Sequence, residues 1–340
     1  MSRKPAVLIT GANGEIGQSL IVALTKRDPD VRVLALDLKE MDPEIRPRCE
    51  AGIVGDILDQ GLLDRLVSEY EISTIYHLAA LLSTRGEFTP ETAHQVNVQG
   101  TLNLLKLGVE QSRWHGSTVR FFFPSSIAVY GIPIRDARNT IDPVREHNWT
   151  IPITMYGCNK LYCENLGRYY TRHYKQLAAE DHGRRIDFRS IRFPGLISAY
   201  TVPSGGTSDY GPEMIHAAAK GEPYACFVSE ETRLPFMAMP DAVTAMVQLM
   251  QAPAESLSRV VYNINAFNPS AGEFAERTRE VFPDAQISFE PDLQRERLVH
   301  SWPASVNDTL ARSEWGFSPT YDIRRTFDEY LVPNIKKRYS

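Results

Sequence analysis

Tyr156 and Lys160 are the pair whose residue types and spacing best suit acid–base chemistry. Residues four apart lie on the same face of a helix, so a phenol and an ammonium group would lie side by side. A phenol with a pKa of about 10 is a weak base at neutral pH, and a nearby cation lowers that pKa by stabilising the phenolate. The pair predicts a tyrosine that exchanges a proton with a substrate hydroxyl, although the same spacing also occurs by chance in many helices.

A pair of hydroxyls precedes this segment along the chain. Ser125 and Ser126 follow residues 119–123, an apolar run with the composition of a β-strand. A serine hydroxyl at the end of a strand is able to donate a hydrogen bond to a substrate oxygen. The serines and the tyrosine are therefore candidates for one catalytic site.

A glycine-rich segment near the N-terminus is typical of a phosphate-binding loop. TGANGEIG (10–17) follows the strand-like residues 6–9 and precedes residues 17–26, where apolar residues recur as on one helix face. Such glycines permit a tight turn and bring backbone N–H groups close to a pyrophosphate at a helix N-terminus. An ordinary glycine-rich turn is the alternative, but the placement between strand and helix favours dinucleotide binding.

Asp37 ends the second predicted strand, 20 residues after Gly17. A carboxylate there accepts hydrogen bonds from the adenosine ribose and repels a 2′-phosphate, so NAD is favoured over NADP. Asp56 and Ile57 follow the third strand, where they would either bracket the adenine or place Asp56 at a helix N-cap. The cofactor contacts predicted in this part of the chain are Gly11, Asn13, Gly14, Glu15, Ile16, Gly17, Asp37, Leu38, Asp56 and Ile57.

Short apolar runs alternate with amphipathic stretches through the first half of the chain. Strands are predicted at 6–9, 31–36, 52–54, 74–78 and 119–123, and helices around 59–69 and 91–112. This alternation predicts an α/β fold with a doubly wound parallel sheet of the Rossmann type. The order of elements also places the glycine loop and Asp37 at the same edge of the sheet.

The alternation ends after residue 192. Residues 198–212 have the composition of a long loop, which suggests a functional loop or lid. Helices are predicted at 213–220, 241–252 and 271–281, with a strand at 260–264. We expect an NAD-binding domain of residues 1–195 plus about 235–265, and a smaller discontinuous substrate-binding lobe of about 196–234 plus 266–340.

Composition excludes several classes of protein. The 340 residues carry a net charge of −5, which gives no electrostatic footprint for nucleic acid. No apolar run approaches the ~20 residues needed to span a bilayer. The four cysteines show neither disulfide nor zinc spacing, so we expect a metal-free cytoplasmic enzyme that contacts no membrane.

Five motifs taken together resemble the extended branch of the short-chain dehydrogenase/reductase superfamily. They are TGANGEIG (10–17), HLAA (77–80), NVQGT (97–101), PSSIAVYG (124–131) and YGCNK (156–160), in the order of that superfamily. The resemblance implies that Tyr156 is the acid/base and that Lys160 holds the nicotinamide ribose and lowers the tyrosine pKa. It also implies that Ser126, rather than Ser125, orients the reacting hydroxyl and that Asn97 supports a proton relay.

The same resemblance extends the predicted cofactor site. Further contacts are implied for Leu78, Ala79, Ala80, Asn97, Pro124, Tyr156, Lys160, Pro194 and Leu196. For His77 a packed or capping role is favoured over a catalytic one. A homodimer, formed through the Tyr156 helix and the helix near 91–112, is also implied.

Two later segments are similar to the short-chain type of L-threonine 3-dehydrogenase. They are PSGGTSDY (203–210) and TRLPFMAMPDA (232–242), and ALLS (80–83) resembles the same group. This resemblance implies NAD-dependent oxidation of the 3-hydroxyl of L-threonine to 2-amino-3-oxobutyrate. A sugar-nucleotide epimerase or dehydratase that uses NAD is the alternative, and an NAD(H)-sensing protein without catalysis would have no use for Tyr156 and Lys160.

The 203–210 segment suits a small zwitterionic substrate. Backbone N–H groups of Gly205 and Gly206 would approach a carboxylate, and Asp209 would hold an ammonium group or cap a helix. Thr207 and Ser83 would supply hydroxyl groups. The substrate contacts predicted are Ser83, Ser126, Tyr156, Gly206, Thr207 and Asp209.

Overall fold

The computed structural model describes residues 5–133, 141, 143–178, 183, 185–203 and 206–339. Its strands are β1 (Pro5–Thr10), β2 (Arg32–Asp37), β3 (Ala51–Val54), β4 (Glu71–His77), β5 (Val119–Ser126), β6 (Ile186–Phe193), β7 (Gly195–Ile197), β8 (Tyr224–Cys226), β9 (Phe236–Ala238), β10 (Val261–Asn263) and β11 (Ile287–Phe289).

The helices alternate with these strands in the first half of the chain and predominate in the second. They are α1 (Glu15–Arg27), α2 (Gln60–Glu69), α3 (Ser83–Phe88), α4 (Pro90–His94), α5 (Gly100–His115), α6 (Met155–Arg172), α7 (Tyr210–Lys220), α8 (Met239–Gln251), α9 (Ala271–Val281), α10 (Leu293–His300), α11 (Thr309–Trp315), α12 (Ile323–Arg325) and α13 (Val332–Tyr339). Apart from the one around 91–112, the helices predicted from the sequence are confirmed, with ends that differ by a few residues.

Seven strands form one sheet in the order β10-β6-β5-β4-β1-β2-β3. The pairs from β3 to β5 are parallel. The strand order reverses between β1 and β4, and ligands of doubly wound sheets bind in the crevice at the carboxyl ends of the strands at such a point. The predicted Rossmann-type fold is confirmed.

The core explains why these segments form central strands. Leu8, Ile9 and Leu34 to Leu36 are almost fully buried, as expected where helices cover both faces of a parallel sheet. β6 is buried along its whole length and includes Asp187 and Arg189. The Arg189 guanidinium bonds the Asp187 carboxylate and the carbonyls of Leu249 and Ala252, so this buried charge satisfies the end of α8.

The long helix predicted around 91–112 is interrupted. Residues Gln95–Gln99 form a π-helical turn between α4 and α5. Such turns are often found at functional sites because the extra residue redirects the side chains. The turn contains Asn97.

The chain divides into two compact units. The first contains Met1–Ser125, Asn159–Ile191 and Met246–Val261, and the second contains Ser126–Cys158, Arg192–Ala245 and Tyr262–Ser340. In the second unit β7 pairs in parallel with β9, and β8 with β11. Residues 126–158 thus fall outside the first unit, whereas the sequence placed them with the NAD-binding domain. The assignment of a cofactor domain and a substrate lobe stays a prediction.

Candidate active site

The glycine loop joins β1 to α1 at the point where the strand order reverses. Gly11 has φ +67°, a conformation that other residues rarely adopt, and a Cβ there would lie 2.7 Å from the Ala79 nitrogen. Gly14 is the N-cap of α1. A Cβ on Gly17 would lie 2.6 Å from the Gly11 and Ala12 carbonyl oxygens, so this glycine lets the helix pack against the loop. Gly11 and Gly17 therefore have a steric role in this turn, and Gly14 begins the helix.

Asp37 lies at the carboxyl end of β2, beside the glycine loop. The Asn13 backbone N–H donates to Asp37 Oδ2 over 2.9 Å, and the Lys39 N–H donates to Oδ1 over 3.2 Å. These bonds fix a carboxylate at the edge where an adenosine ribose would bind. Leu38, the next residue, is 69% exposed, which suits an apolar surface that a ligand ring covers.

Asp56 and Ile57 follow β3, and the structure changes the interpretation of both. The helix N-cap is Asp59, whose side chain accepts from the Leu62 N–H, so the alternative role of Asp56 as N-cap is wrong. Asp56 instead accepts from the Leu58 N–H in a local turn. The Ile57 side chain is 5% exposed and packs in the core, and its part in cofactor binding stays a prediction.

Asn97 holds the loop that follows β4. Its side-chain oxygen accepts from the Leu81 N–H over 2.8 Å, and its amide nitrogen donates to the Leu81 carbonyl over 3.0 Å. Its own carbonyl accepts hydrogen bonds from Thr101 and Cys163. The predicted relay role of Asn97 stays a prediction. Its bonds to Leu81 fix the chain directly after Leu78, Ala79 and Ala80, and Ala79 is the residue that contacts Gly11 of the glycine loop.

Lys160 lies on α6 and is 3% exposed. Its ammonium donates to the Pro124 carbonyl over 2.7 Å and lies 4.5 Å from the centre of the Phe123 ring. Burial lowers the pKa of Lys160 to about 8, while Cys163 and Glu164 act in the opposite direction. The predicted lysine is therefore anchored at the carboxyl end of β5, close to Pro124, itself a predicted cofactor contact.

Tyr156 begins the same helix, one turn before Lys160. Burial raises the pKa of the Tyr156 phenol above its ordinary value. The direction is opposite to the lowering that the resemblance implies, because desolvation disfavours the phenolate. A positive charge brought against the phenol would act the other way.

Ser126 ends β5 and caps the short turn Ile127–Val129, where its oxygen accepts from the Ala128 N–H over 3.1 Å. A Cβ on Gly157 would lie 2.1 Å from the Ala128 carbonyl oxygen. The glycine beside Tyr156 thus allows the first turn of α6 to lie directly against the Ser126 turn. The structure brings the regions of these two predicted catalytic residues together within the second unit.

His77 ends β4 and is fully enclosed. It bonds the Thr10 hydroxyl over 2.8 Å and the Thr101 hydroxyl over 3.0 Å. Burial, reinforced by Lys160, lowers the pKa of His77 to about 3, so the ring is neutral at physiological pH. The favoured packed role is the one that these contacts support.

The predicted substrate residues lie in both units. Ser83 begins α3 in the first unit, while Gly206, Thr207 and Asp209 precede α7 in the second. Asp209 stands at the N-cap position of α7 without a side-chain cap bond, and its Oδ2 accepts from the Gly206 N–H over 2.7 Å. That N–H is engaged within the loop rather than directed to a substrate carboxylate. Gly205 lies outside the described residues.

Pro194 and Leu196 flank the start of β7, in the second unit. Pro194 is buried and Leu196 is half-buried. A Cβ on Gly195 between them would lie 2.6 Å from the Phe236 ring, so glycine permits the tight pairing of β7 with β9. The cofactor contacts of Pro194 and Leu196 stay a prediction.

The structure adds residues that the motifs did not reveal. The Asn13 side chain donates to the Glu40 carbonyl and accepts from the Asp42 N–H, which ties the segment after β2 to the glycine loop. Glu164 on α6 accepts from the Ser125 hydroxyl. Because Glu164 follows Lys160 by four residues on one helix, the sequence could have placed it on the same helix face as the lysine.

Cysteines and metal ligands contribute little to this site. Cys158 is exposed, whereas Cys49, Cys163 and Cys226 are buried. Within the described ranges, no group of three or more His, Cys, Asp or Glu residues is arranged to hold a metal ion. In that same part of the chain, no helix is both long and apolar enough to cross a membrane.

A dinucleotide loop on a doubly wound sheet, combined with a Tyr-x-x-x-Lys helix, defines an NAD-dependent oxidoreductase of the extended short-chain class. Residues 7–265 match the NAD dependent epimerase/dehydratase family, and the chain belongs to that family. Its relatives point to one activity within it. The chain is 35% identical over 317 residues to the mitochondrial L-threonine 3-dehydrogenase of Bos taurus, covering 93% of this chain and 79% of that protein.

Two solved structures are similar to this chain over almost its full length. A monomeric L-threonine 3-dehydrogenase from a metagenome, in its apo form, has a TM-score of 0.85 at 35% identity and covers 98% of this chain and 100% of that one. A GalE-like L-threonine dehydrogenase from Cupriavidus necator, in its holo form, has a TM-score of 0.82 at 35% identity. It covers 99% of this chain and 100% of that one.

Proposed function

We propose that this protein is an NAD-dependent L-threonine 3-dehydrogenase. It oxidises the 3-hydroxyl of L-threonine, and the products are 2-amino-3-oxobutyrate, NADH and a proton. The observation that carries the proposal is the similarity to L-threonine dehydrogenases along essentially the whole chain. The family alone supports the epimerase or dehydratase alternative only weakly.

The first unit contains a turn that fits the cofactor. A Cβ at Gly11 would collide with the Ala79 backbone, so the turn has no side chain at this position. Its backbone is therefore exposed toward the crevice where a cofactor would bind. Asp37 would bind the adenosine ribose, and its negative charge selects against a 2′-phosphate. When bound, NAD supplies a nicotinamide ring that accepts a hydride from C3 of the substrate.

Tyr156 takes the proton of the 3-hydroxyl in this proposal. The Lys160 ammonium holds the nicotinamide ribose and stabilises the phenolate, which opposes the effect of burial on the tyrosine pKa. Ser126 donates a hydrogen bond to the substrate oxygen, and the oxygen that accepts from Ala128 fixes the direction of its hydroxyl. These three groups divide the work into proton transfer, charge stabilisation and orientation.

Substrate selection is assigned to Ser83, Thr207 and Asp209. Two hydroxyls and one carboxylate suit the carboxylate and ammonium of a small amino acid. Asp209, whose Oδ2 accepts from the Gly206 N–H, would hold the ammonium directly or through water. The segment that carries Thr207 and Asp209 precedes α7 and would close over the substrate.

The test is reduction of NAD with two substrates. Purified protein is incubated with NAD and either L-threonine or UDP-glucose, absorbance of NADH is followed, and the nucleotide sugar is analysed by chromatography for an epimerised or dehydrated product. We expect NADH formation that depends on L-threonine and none with UDP-glucose. Absence of threonine-dependent NADH, with turnover of a nucleotide sugar instead, would establish the alternative.

A homodimer in the cytoplasm completes the proposal. The exposed Tyr162 and Tyr169 on α6 and the exposed Trp114 on α5 supply the apolar area that such an interface needs. One structural relative is described as monomeric, so a monomer is the alternative outcome. Sedimentation velocity distinguishes the 38.4 kDa monomer from a dimer of twice that mass.

A further inference from the structure

The carboxyl end of β5 contacts α6 through three consecutive residues. The Phe123 ring lies under the Lys160 ammonium, and the Pro124 carbonyl accepts its hydrogen bond. The Ser125 hydroxyl donates to Glu164 Oε1 over 2.5 Å. Lys160 and Glu164 are one helical turn apart, so two side chains of α6 fix the helix to the strand that leads to Ser126.

Glu164 is a charged residue type in a fully buried position. Its carboxylate has 0% exposure, and buried carboxylates are costly unless hydrogen bonds and nearby charge compensate for lost hydration. Ser125 supplies a hydrogen bond, and Lys160 supplies the positive charge. A leucine at this position would avoid the desolvation cost of a buried carboxylate. The presence of a glutamate therefore indicates a functional role for its carboxylate.

The charges around Lys160 identify that use. Burial lowers the pKa of Lys160 to about 8, against the opposing effects of Cys163 and Glu164. Burial also raises the pKa of Cys163 to about 11 and lowers that of His77 on the neighbouring strand to about 3, so both are uncharged near pH 8. Tyr156, one turn away on the same helix, has its pKa raised by burial and is also neutral there. Because Cys163, His77 and Tyr156 are neutral, Glu164 is the neighbour that favours the Lys160 ammonium.

We propose that Glu164 is a positioning residue of the reaction, which keeps the buried Lys160 protonated and, through Ser125, holds α6 in register with the end of β5. The inference rests on the proposed function, because it acts through the catalytic lysine of that mechanism. Glu164 itself touches neither substrate nor cofactor in this role.

Two substitutions separate the charge from the hydrogen bond. Glu164→Gln keeps an oxygen for Ser125 but removes the charge, whereas Ser125→Ala keeps the charge and removes the hydrogen bond. The pH dependence of kcat/KM for L-threonine is measured between about pH 6 and 10. For Glu164→Gln we expect the basic limb, where Lys160 loses its proton, to move to lower pH by about one unit. For Ser125→Ala we expect a lower kcat with the basic limb in place.

Glu164→Asp keeps the charge in a shorter side chain and serves as the rescue variant. Its basic limb is expected at the wild-type position. A folded Glu164→Gln enzyme with an unmoved basic limb would overturn the proposal. If Glu164→Gln does not fold, the two variants that retain the charge, Ser125→Ala and Glu164→Asp, decide the question. A basic limb displaced in both would overturn the proposal. Basic limbs at the wild-type position in both, with lowered kcat, would support the proposal.

A binding measurement keeps this inference separate from the proposed function. NADH affinity is titrated by fluorescence at each pH without threonine, because Lys160 would hold the nicotinamide ribose. Loss of affinity at lower pH in Glu164→Gln than in wild type supports the role of Glu164 even if wild type does not oxidise threonine. Matching profiles contradict it even if threonine is oxidised.

Discussion

The glycine loop of the first unit and the 206–209 segment of the second are both glycine-containing turns that precede a helix, but they are built differently. In the first, Gly11 and Gly17 are required because backbone atoms of neighbouring segments lie within 3 Å of any added Cβ. In the second, Asp209 accepts the Gly206 N–H, and the close contacts of a Cβ on Gly206 are with that same carboxylate. In the first turn, backbone contacts exclude any Cβ, whereas the second combines a backbone bond from the Asp209 N–H to the Gly206 carbonyl with the bond to the Asp209 carboxylate.

In the proposed function, this difference separates cofactor binding from substrate selection. A turn defined by steric exclusion has one shape, which suits a cofactor that many related enzymes share. A turn held partly by one carboxylate would change shape when that carboxylate finds another partner, such as an ammonium group. We therefore expect changes in the first turn to alter NAD affinity and changes in the second to alter the Michaelis constant for the amino acid.

The largest effect is expected from a change that leaves both turns intact. Tyr156→Phe removes the proposed proton acceptor, and kcat should fall by about 10²–10⁴, the usual contribution of acid–base catalysis. NAD affinity, measured by fluorescence titration, should remain nearly unchanged. Retained turnover would show that another group exchanges the proton.

Gly11→Ala tests the sterically defined turn. The φ of +67° and the contact with Ala79 should together weaken NAD binding by about tenfold or more. Gly116→Ala is the matched control, because Gly116 has φ +75° with nothing within 4 Å of an added Cβ. It should lower the free energy of unfolding by about 1–2 kcal/mol without changing NAD affinity. Equal NAD affinities in the two variants would remove the distinction between the turns.

Asp209 tests the turn held by a side chain. Asp209→Asn keeps an acceptor for the Gly206 N–H but loses the charge, and Asp209→Ala loses both. If Asp209 binds the ammonium, both variants should raise the Michaelis constant for L-threonine by about tenfold, the value of one charge-assisted hydrogen bond. A wild-type constant in Asp209→Asn, with a raised one in Asp209→Ala, would restrict Asp209 to shaping the loop.

The smallest effect concerns cofactor selection. Asp37→Asn keeps an oxygen for the Asn13 N–H and removes the charge that repels a 2′-phosphate. The ratio of kcat/KM with NAD to that with NADP should fall by several-fold up to about tenfold. An unchanged ratio would assign the selection to another group.

The sequence predicted most of the first unit because its signals are local. The spacing of Gly11, Gly14 and Gly17 between an apolar run and an amphipathic helix is sufficient to place the turn, and Asp37 follows at the expected distance. The alternation of strands and helices predicted the sheet. The same logic located Tyr156 and Lys160 on one helix.

The remaining features depend on contacts between distant segments. The N-cap at Asp59 rather than Asp56 reflects a helix that begins later than the acidic residues alone suggest. The Ser125 to Glu164 bond joins residues 39 apart in the chain, and no periodic pattern reports it. The raised pKa of Tyr156 follows from burial, which depends on packing from outside its own helix.

Transfer of hydrogen from C3 of threonine to NAD tests the central claim most directly. L-Threonine deuterated at C3 is incubated with the enzyme and NAD, and the reduced cofactor is analysed by mass spectrometry. The account predicts reduced cofactor that carries one deuterium, and no such product from Tyr156→Phe above trace levels. Reduced cofactor without deuterium, or none from the wild-type enzyme, would contradict it.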